Sequence, residues 1–160
     1  MNEEQWKQIT YFKPKEFKCH CGQCGSTGNE MNFDMVKTLD FIRELIEEPI
    51  FVTSGYRCLA YQEKVNPGVL GAHPLGRAAD IMFKTNDYFL RLIYSIAVIN
   101  DSTYFITNVR NNISLPIKGI GIYPSKAFIH IDNVQHLEKV VYKDGTEKVF
   151  KRPDLCIWGA

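Results

Sequence analysis

The chain has 160 residues, of which 45% are hydrophobic and 23% charged, and its formal net charge is +1. This is the profile of one ordinary globular domain, long enough to bury a core without disulfides. The balanced charge excludes a surface built for nucleic acid, and no run of about 18 apolar residues exists to span a bilayer. A single-domain monomer over residues 1–160, with neither nucleic acid nor membrane as a partner, is the expectation.

The N-terminus reads MNEEQWKQITYF. It has acidic residues and no apolar stretch of the kind a secretory signal needs, so synthesis in the cytoplasm is expected. Residues 1–30 read as a polar, loop-like region with Pro14, Gly22, Gly25 and Gly28 as breaks. Inside it, "KCHCGQC" crowds Cys19, Cys21 and Cys24 around His20. The chain has five cysteines, so at least one thiol of a monomer stays unpaired.

From Asn32 a helix is predicted, with Val36, Leu39, Ile42 and Ile46 on one face and Pro49 as its stop. The following Glu47-Glu48 reads as a helix-end charge pair rather than a catalytic dyad. Ile50 to Ser54 reads as a buried strand. "GYRCLAYQEKVNPG" reads as a turn and a short helix ended by Asn66-Pro67-Gly68. Ala78 to Phe83 reads as another strand, and "NDYFLRLIYSIAVIND" as the second strong helix. "KGIGIYPS" and "AFIHIDNV" read as two strands of a hairpin around Pro124-Ser125-Lys126. In the C-terminal stretch, residues 137–160, "KVVYKDGTEKVFK" reads as a second hairpin, because Asp144-Gly145 is a strong two-residue turn signal. This order of elements predicts an α+β fold with a small antiparallel sheet flanked by helices.

Two stretches carry chemistry. In "GAHPLGRAAD", His73 and Asp80 are separated by small residues that let the backbone fold tightly between them. In "FIHID", strand alternation puts Phe128, His130 and Asp132 on one face and turns Ile129 and Ile131 to the core. His73, Asp80 and His130 can then meet as two imidazoles and a carboxylate. With water in the fourth position, that is a catalytic zinc arrangement. Taken singly, a strand histidine is more often a hydrogen-bonded core residue, and an aspartate opening a strand is commonly a turn cap.

The ordered set of motifs resembles a known family. Ser54-Gly55-Tyr56-Arg57 comes first, then His73-Pro74-Leu75-Gly76-Arg77-Ala78-Ala79-Asp80, then Gly119-Ile120-Gly121-Ile122-Tyr123-Pro124, then His130-Ile131-Asp132. Over residues 10 to 135 this resembles the zinc D-alanyl-D-alanine carboxypeptidases and phage endolysin peptidases of the Hedgehog/DD-peptidase fold. The resemblance implies His73, Asp80 and His130 as zinc ligands. It implies Arg57 as a catalytic, substrate-binding group that holds a carboxylate or carbonyl. The other reading of Arg57 is an ion pair with Glu63 or another surface acid. Tyr56 and Tyr123 either line the cleft or belong to the core.

The chain departs from the family pattern twice. Gly71 stands where many relatives have serine, and Ala127 stands where some branches have an acidic general base. Asp132 is the remaining acid on the right strand face and takes the base role, its alternative being to orient a ligand. Cys19, Cys21 and Cys24 can join Cys58 as a structural zinc staple; a disulfide to Cys58 and free thiols are the alternatives. His20 reads as a solvated loop residue, His136 as exposed, and Cys156 as a buried or stray thiol.

The resemblance thus implies a zinc metallopeptidase acting on peptidoglycan stem peptides. It implies one catalytic Zn2+, a second structural one being possible. The enzyme would be a phage lysis or virion protein, reaching the cell wall after release or as part of a phage particle. The competing readings are a catalytically degenerate protein that binds cell wall or builds a phage structure, and a cysteine-based zinc module that binds a partner.

Overall fold

The computed structural model describes residues 1–100, 117–135 and 137–151, and the backbone of residues 156–159. The helices are α1 (Glu3–Trp6), α2 (Phe33–Ile46), α3 (Leu59–Val65) and α4 (Asn86–Asn100). The strands are β1 (Phe51–Ser54), β2 (Ala78–Met82), β3 (Gly119–Tyr123), β4 (Phe128–Asp132), β5 (Lys139–Val141), β6 (Glu147–Val149) and β7 (Cys156–Gly159). No helix among the described residues is long and apolar enough to cross a membrane. His136 and the side chain of Cys156 lie outside the described residues.

Helix α2 starts where its sequence says it should. Asn32 caps it, its side chain accepting a hydrogen bond from the Met35 amide at 3.0 Å. The predicted face of Val36, Leu39, Ile42 and Ile46 is buried, together with Met35. The helix ends at Glu47, which turns left-handed with φ of 55° ahead of Pro49. Glu48, just beyond the end of α2, pairs with Arg91 of α4.

The five-stranded sheet has the order β1-β2-β4-β3-β7. The pairs β1–β2, β2–β4 and β3–β4 are antiparallel, as predicted. Strand β7 adds a parallel edge beside β3, which the sequence reading did not foresee. Alternation divides the sheet cleanly. Ala79, Ile81, Ile120, Ile129 and Ile131 enter the main core with α2 and α4. The opposite face carries Asp80, His130 and Asp132.

Residues 1–30 are more structured than a polar loop. Ile9, Phe12, Phe17 and Cys19 are buried in the main core. Their spacing follows neither a helical nor a strand period, because they hang from short turns such as the 3-10 turn Pro14–Phe17. The β5–β6 hairpin forms as predicted, its turn closing from the Gly145 amide to the Tyr142 carbonyl at 2.9 Å. With Ala72, Ala78 and Val134, its Val140, Tyr142 and Phe150 make a second, smaller core beside the site.

Candidate metal centre

His73 opens a 3-10 turn (His73–Leu75) at the end of the loop that follows α3. Asp80 lies in the middle of β2, and its register partner on β4 is His130. On the other side of His130 stands Gly121 of β3, which adds no side chain to that face. A loop, a central strand and its neighbour therefore deliver the three residues to one point.

The donor atoms converge. His73 Nε2 lies 3.2 Å from Asp80 Oδ1 and 3.2 Å from His130 Nδ1, and His130 Nδ1 lies 2.8 Å from Asp80 Oδ1. Ligands held about 2.0–2.1 Å from a tetrahedral zinc sit about 3.3 Å from one another. The three side chains thus fit one small cation with N2O donors, and they form one of two clusters of metal-binding type among the described residues.

Each imidazole is fixed by the bond at its other nitrogen. His73 Nδ1 is 2.6 Å from the Gly55 carbonyl, an acceptor that requires the proton on Nδ1 and leaves the Nε2 lone pair facing inward. His130 Nε2 is 3.4 Å from Asp132 Oδ2, so the Nδ1 lone pair is the one turned to the centre once the ring is neutral. The other oxygen of Asp132 accepts the Val134 amide at 3.0 Å, and the residue is only 1% exposed. Asp132 therefore sits behind His130, not in front of it.

Protonation follows the surroundings. Burial pushes His73 below its ordinary value, overcoming the pull of Asp80. Burial works against a charged His130 as well, but its hydrogen bonds to Asp132 and Asp80 prevail and lift it to about 9. Burial alone would raise Asp80, yet the two imidazoles of His73 and His130 packed against it hold it well below the usual carboxylate range. A carboxylate kept ionised in a buried place is what a cation requires.

Arg57 stands beside the cluster. Its Nη2 pairs with Asp80 Oδ2, its Nε donates to Ser54 Oγ at 2.8 Å, and its Nη1 reaches Gln62 Oε1 at 3.5 Å. Its ion-pair partner is thus a buried acid of the site. Glu63, the surface acid considered from sequence, instead accepts the Gly68 amide. An irregularity of register between Val52 and Ser54 on β1 brings Ser54 level with Asp80. Gly55 is required by close approach: a Cβ there would lie 2.7 Å from the Phe17 Cα.

The cluster lies in a cleft of about 680 Å³. Its walls include Arg57, Gln62, Tyr123 and Phe128, with Lys148 and Phe150 from the second hairpin region. Tyr123 stacks on Phe128 with ring centroids 4.5 Å apart, whereas Tyr56 is buried in the main core. His20, expected as a solvated loop residue, is exposed and lines this cleft. Among the described residues lining it, Asp80 and Asp132 are the acids. Ala127 closes the β3–β4 turn in the left-handed region, with φ of 52°. The Gly71 carbonyl accepts a hydrogen bond from the Tyr142 hydroxyl at 3.0 Å.

Gln62 was missed from sequence. It is buried, its amide nitrogen donates to the Val69 carbonyl at 2.8 Å, and its oxygen faces Arg57. No local pattern marks it, because its burial depends on the Val69 carbonyl and on Arg57. Cys19, Cys21, Cys24 and Cys58 form the other metal-type cluster.

A family model described as Peptidase M15 matches residues 10–113. No curated protein sequence matches the chain.

Proposed function

The chain belongs to the peptidase M15 family, zinc-dependent metallopeptidases of the D-Ala-D-Ala carboxypeptidase type, and from this premise we propose that it hydrolyses peptide bonds in bacterial peptidoglycan. The observation that carries the proposal is the convergence of His73, Asp80 and His130 within one cleft beside Arg57. In it, His73, His130 and Asp80 would hold the zinc. Zinc supplies a Lewis acid that polarises a carbonyl and lowers the pKa of bound water to about 7.

The chain's own residues do the rest. Arg57 keeps Asp80 in place through Nη2 and offers its less committed Nη1 to a carboxylate or carbonyl of the stem peptide, a match for a planar fork of donors. Asp132 takes the orienting role, holding His130 in one tautomer, which its burial behind the ring supports better than the role of base. Tyr123 and Phe128 offer an apolar wall to the peptide. A phage lysis or virion role fits this substrate, the enzyme reaching the wall after release or with the particle.

The test is the purified, zinc-loaded protein on peptidoglycan, with fragments identified by mass spectrometry and His73→Ala as the control. Release of D-alanine or of shortened stems by wild type alone is expected, and the fragments name the bond. A protein that keeps its zinc and binds the wall but leaves every stem intact would overturn the proposal in favour of a cell-wall-binding role.

A further inference from the structure

We propose that Cys19, Cys21, Cys24 and Cys58 bind a structural zinc ion, separate from the His73–Asp80–His130 centre, which clamps the N-terminal loop to the turn that carries Arg57. The four Sγ atoms lie within 4.8 Å of one another. Cys58 Sγ is 3.8 Å from Cys21 Sγ. Four sulfurs at about 2.3 Å from a tetrahedral zinc are about 3.8 Å apart, whereas a disulfide holds two sulfurs at about 2.05 Å.

The backbone around the sulfurs is arranged for thiolates. The amides of Gln23 and Cys24 both donate to Cys21 Sγ, at 3.4 and 3.2 Å. The Cys58 amide donates to Cys19 Sγ at 3.3 Å. Amide hydrogens aimed at sulfur favour the deprotonated form, and the thiolate is the form a metal takes. Curling the loop so that its amides point inward requires left-handed backbone at Gly22 and Gly25, with φ of 71° and 65°. A Cβ at either glycine would meet nothing within 4 Å, so the requirement is the backbone angle and not space. Cys21-x-x-Cys24 also has the ligand spacing common in zinc sites.

A single disulfide would leave two further thiols pressed against it and the inward amides facing a neutral sulfur. A zinc ion uses all four sulfurs, and four thiolates leave no open position, so the site is structural and not catalytic. The ion would join segments far apart in sequence. Phe17, just before the cysteine loop, accepts the Tyr56 amide at 2.9 Å, and Cys58 directly follows Arg57. Between two of the ligands sits His20, so the same ion sets where this cleft residue stands.

The test uses the full chain with both His73→Ala and His130→Ala, which removes the other centre. This protein should retain about one zinc per chain. Replacing zinc with cobalt should give the intense ultraviolet thiolate-to-cobalt band and the visible bands of a tetrahedral ion. Adding Cys21→Ser should abolish the thiolate band or greatly reduce it. If that variant does not fold, the cobalt spectrum of the double-histidine protein decides alone. A folded double-histidine protein without the thiolate band, or an unreduced chain whose mass is lower by the hydrogens of a disulfide among these cysteines, overturns the proposal. Peptide cleavage is not read at any point, so this result stands apart from the fate of the peptidase assignment.

Discussion

His130 turns Nε2 to Asp132 Oδ2 at 3.4 Å while its Nδ1 faces Asp80 and His73. The ring is held from both edges, and a carboxylate that grips the far nitrogen of a ligating histidine raises its basicity and fixes its rotation. Asp132→Asn keeps the size and removes the charge. The expected outcome is a zinc affinity lower by about 10- to 100-fold, with turnover recovering when zinc is saturating. Metal titration alongside kinetics checks it. Full zinc affinity with kcat reduced by about 10²- to 10⁴-fold would return Asp132 to the role of general base.

Arg57 makes three separate contacts, with Asp80, Ser54 and Gln62. A lysine ammonium cannot keep that fork. Arg57→Lys should therefore lower kcat/KM by about 10- to 100-fold, the equivalent of one charge-assisted hydrogen bond at roughly 1.5–3 kcal/mol. Steady-state kinetics on a stem peptide measure it. Unchanged kinetics in the folded variant would mean that another group holds the substrate.

Much of this was legible because it was periodic or local. The α2 face from Val36 to Ile46 follows a helical repeat, and "FIHID" alternates, so each pattern alone assigns its two faces. The His73–Asp80–His130 cluster was legible only as a combination, since each residue alone has a commoner structural reading. What stayed hidden depends on long-range geometry. The pairing of Arg57 with Asp80, the burial of Gln62 and the parallel β7 edge leave no trace in local pattern. Ile9, Phe12 and Phe17 look like loop residues in sequence because irregular turns bury side chains without a period. Asp132 was placed on the correct face, but its direction behind His130 is a matter of rotamer and of the Val134 amide, which no spacing reveals.

Gly55 is the joint between the N-terminal region and the strand-to-helix turn. A methyl group there would approach the Phe17 Cα at 2.7 Å and the Phe17 carbonyl oxygen at 2.9 Å, backbone atoms that cannot swing aside. Overpacking of this kind costs about 1–3 kcal/mol. Gly55→Ala should lower the denaturation midpoint accordingly and disturb the neighbouring His73, whose Nδ1 leans on the Gly55 carbonyl. Chemical denaturation of both proteins is the measurement, and equal midpoints would show that the loop gives way freely.

The metal-free centre should carry a proton that zinc must displace. Burial works against charge on His130, but Asp132 and Asp80 raise it to about 9, above its ordinary 6.5. The sign follows from the direction of the shift. The protonated ring stabilises the metal-free fold fully below 6.5, and this contribution is lost as the pH rises through about 9. His73 is shifted the other way by burial and is neutral near pH 7. Zinc takes the unprotonated Nδ1, so loading near neutrality should release about one proton from His130. Apparent zinc affinity should then climb with pH up to about 9 and level off there. Calorimetry in buffers of different ionisation enthalpy counts the protons. The cysteine cluster would add its own, so the count at this centre is the difference between wild type and the protein carrying His73→Ala and His130→Ala. A difference of zero would mean that His130 is already neutral near pH 7, and that Asp132 orients the ring without charging it.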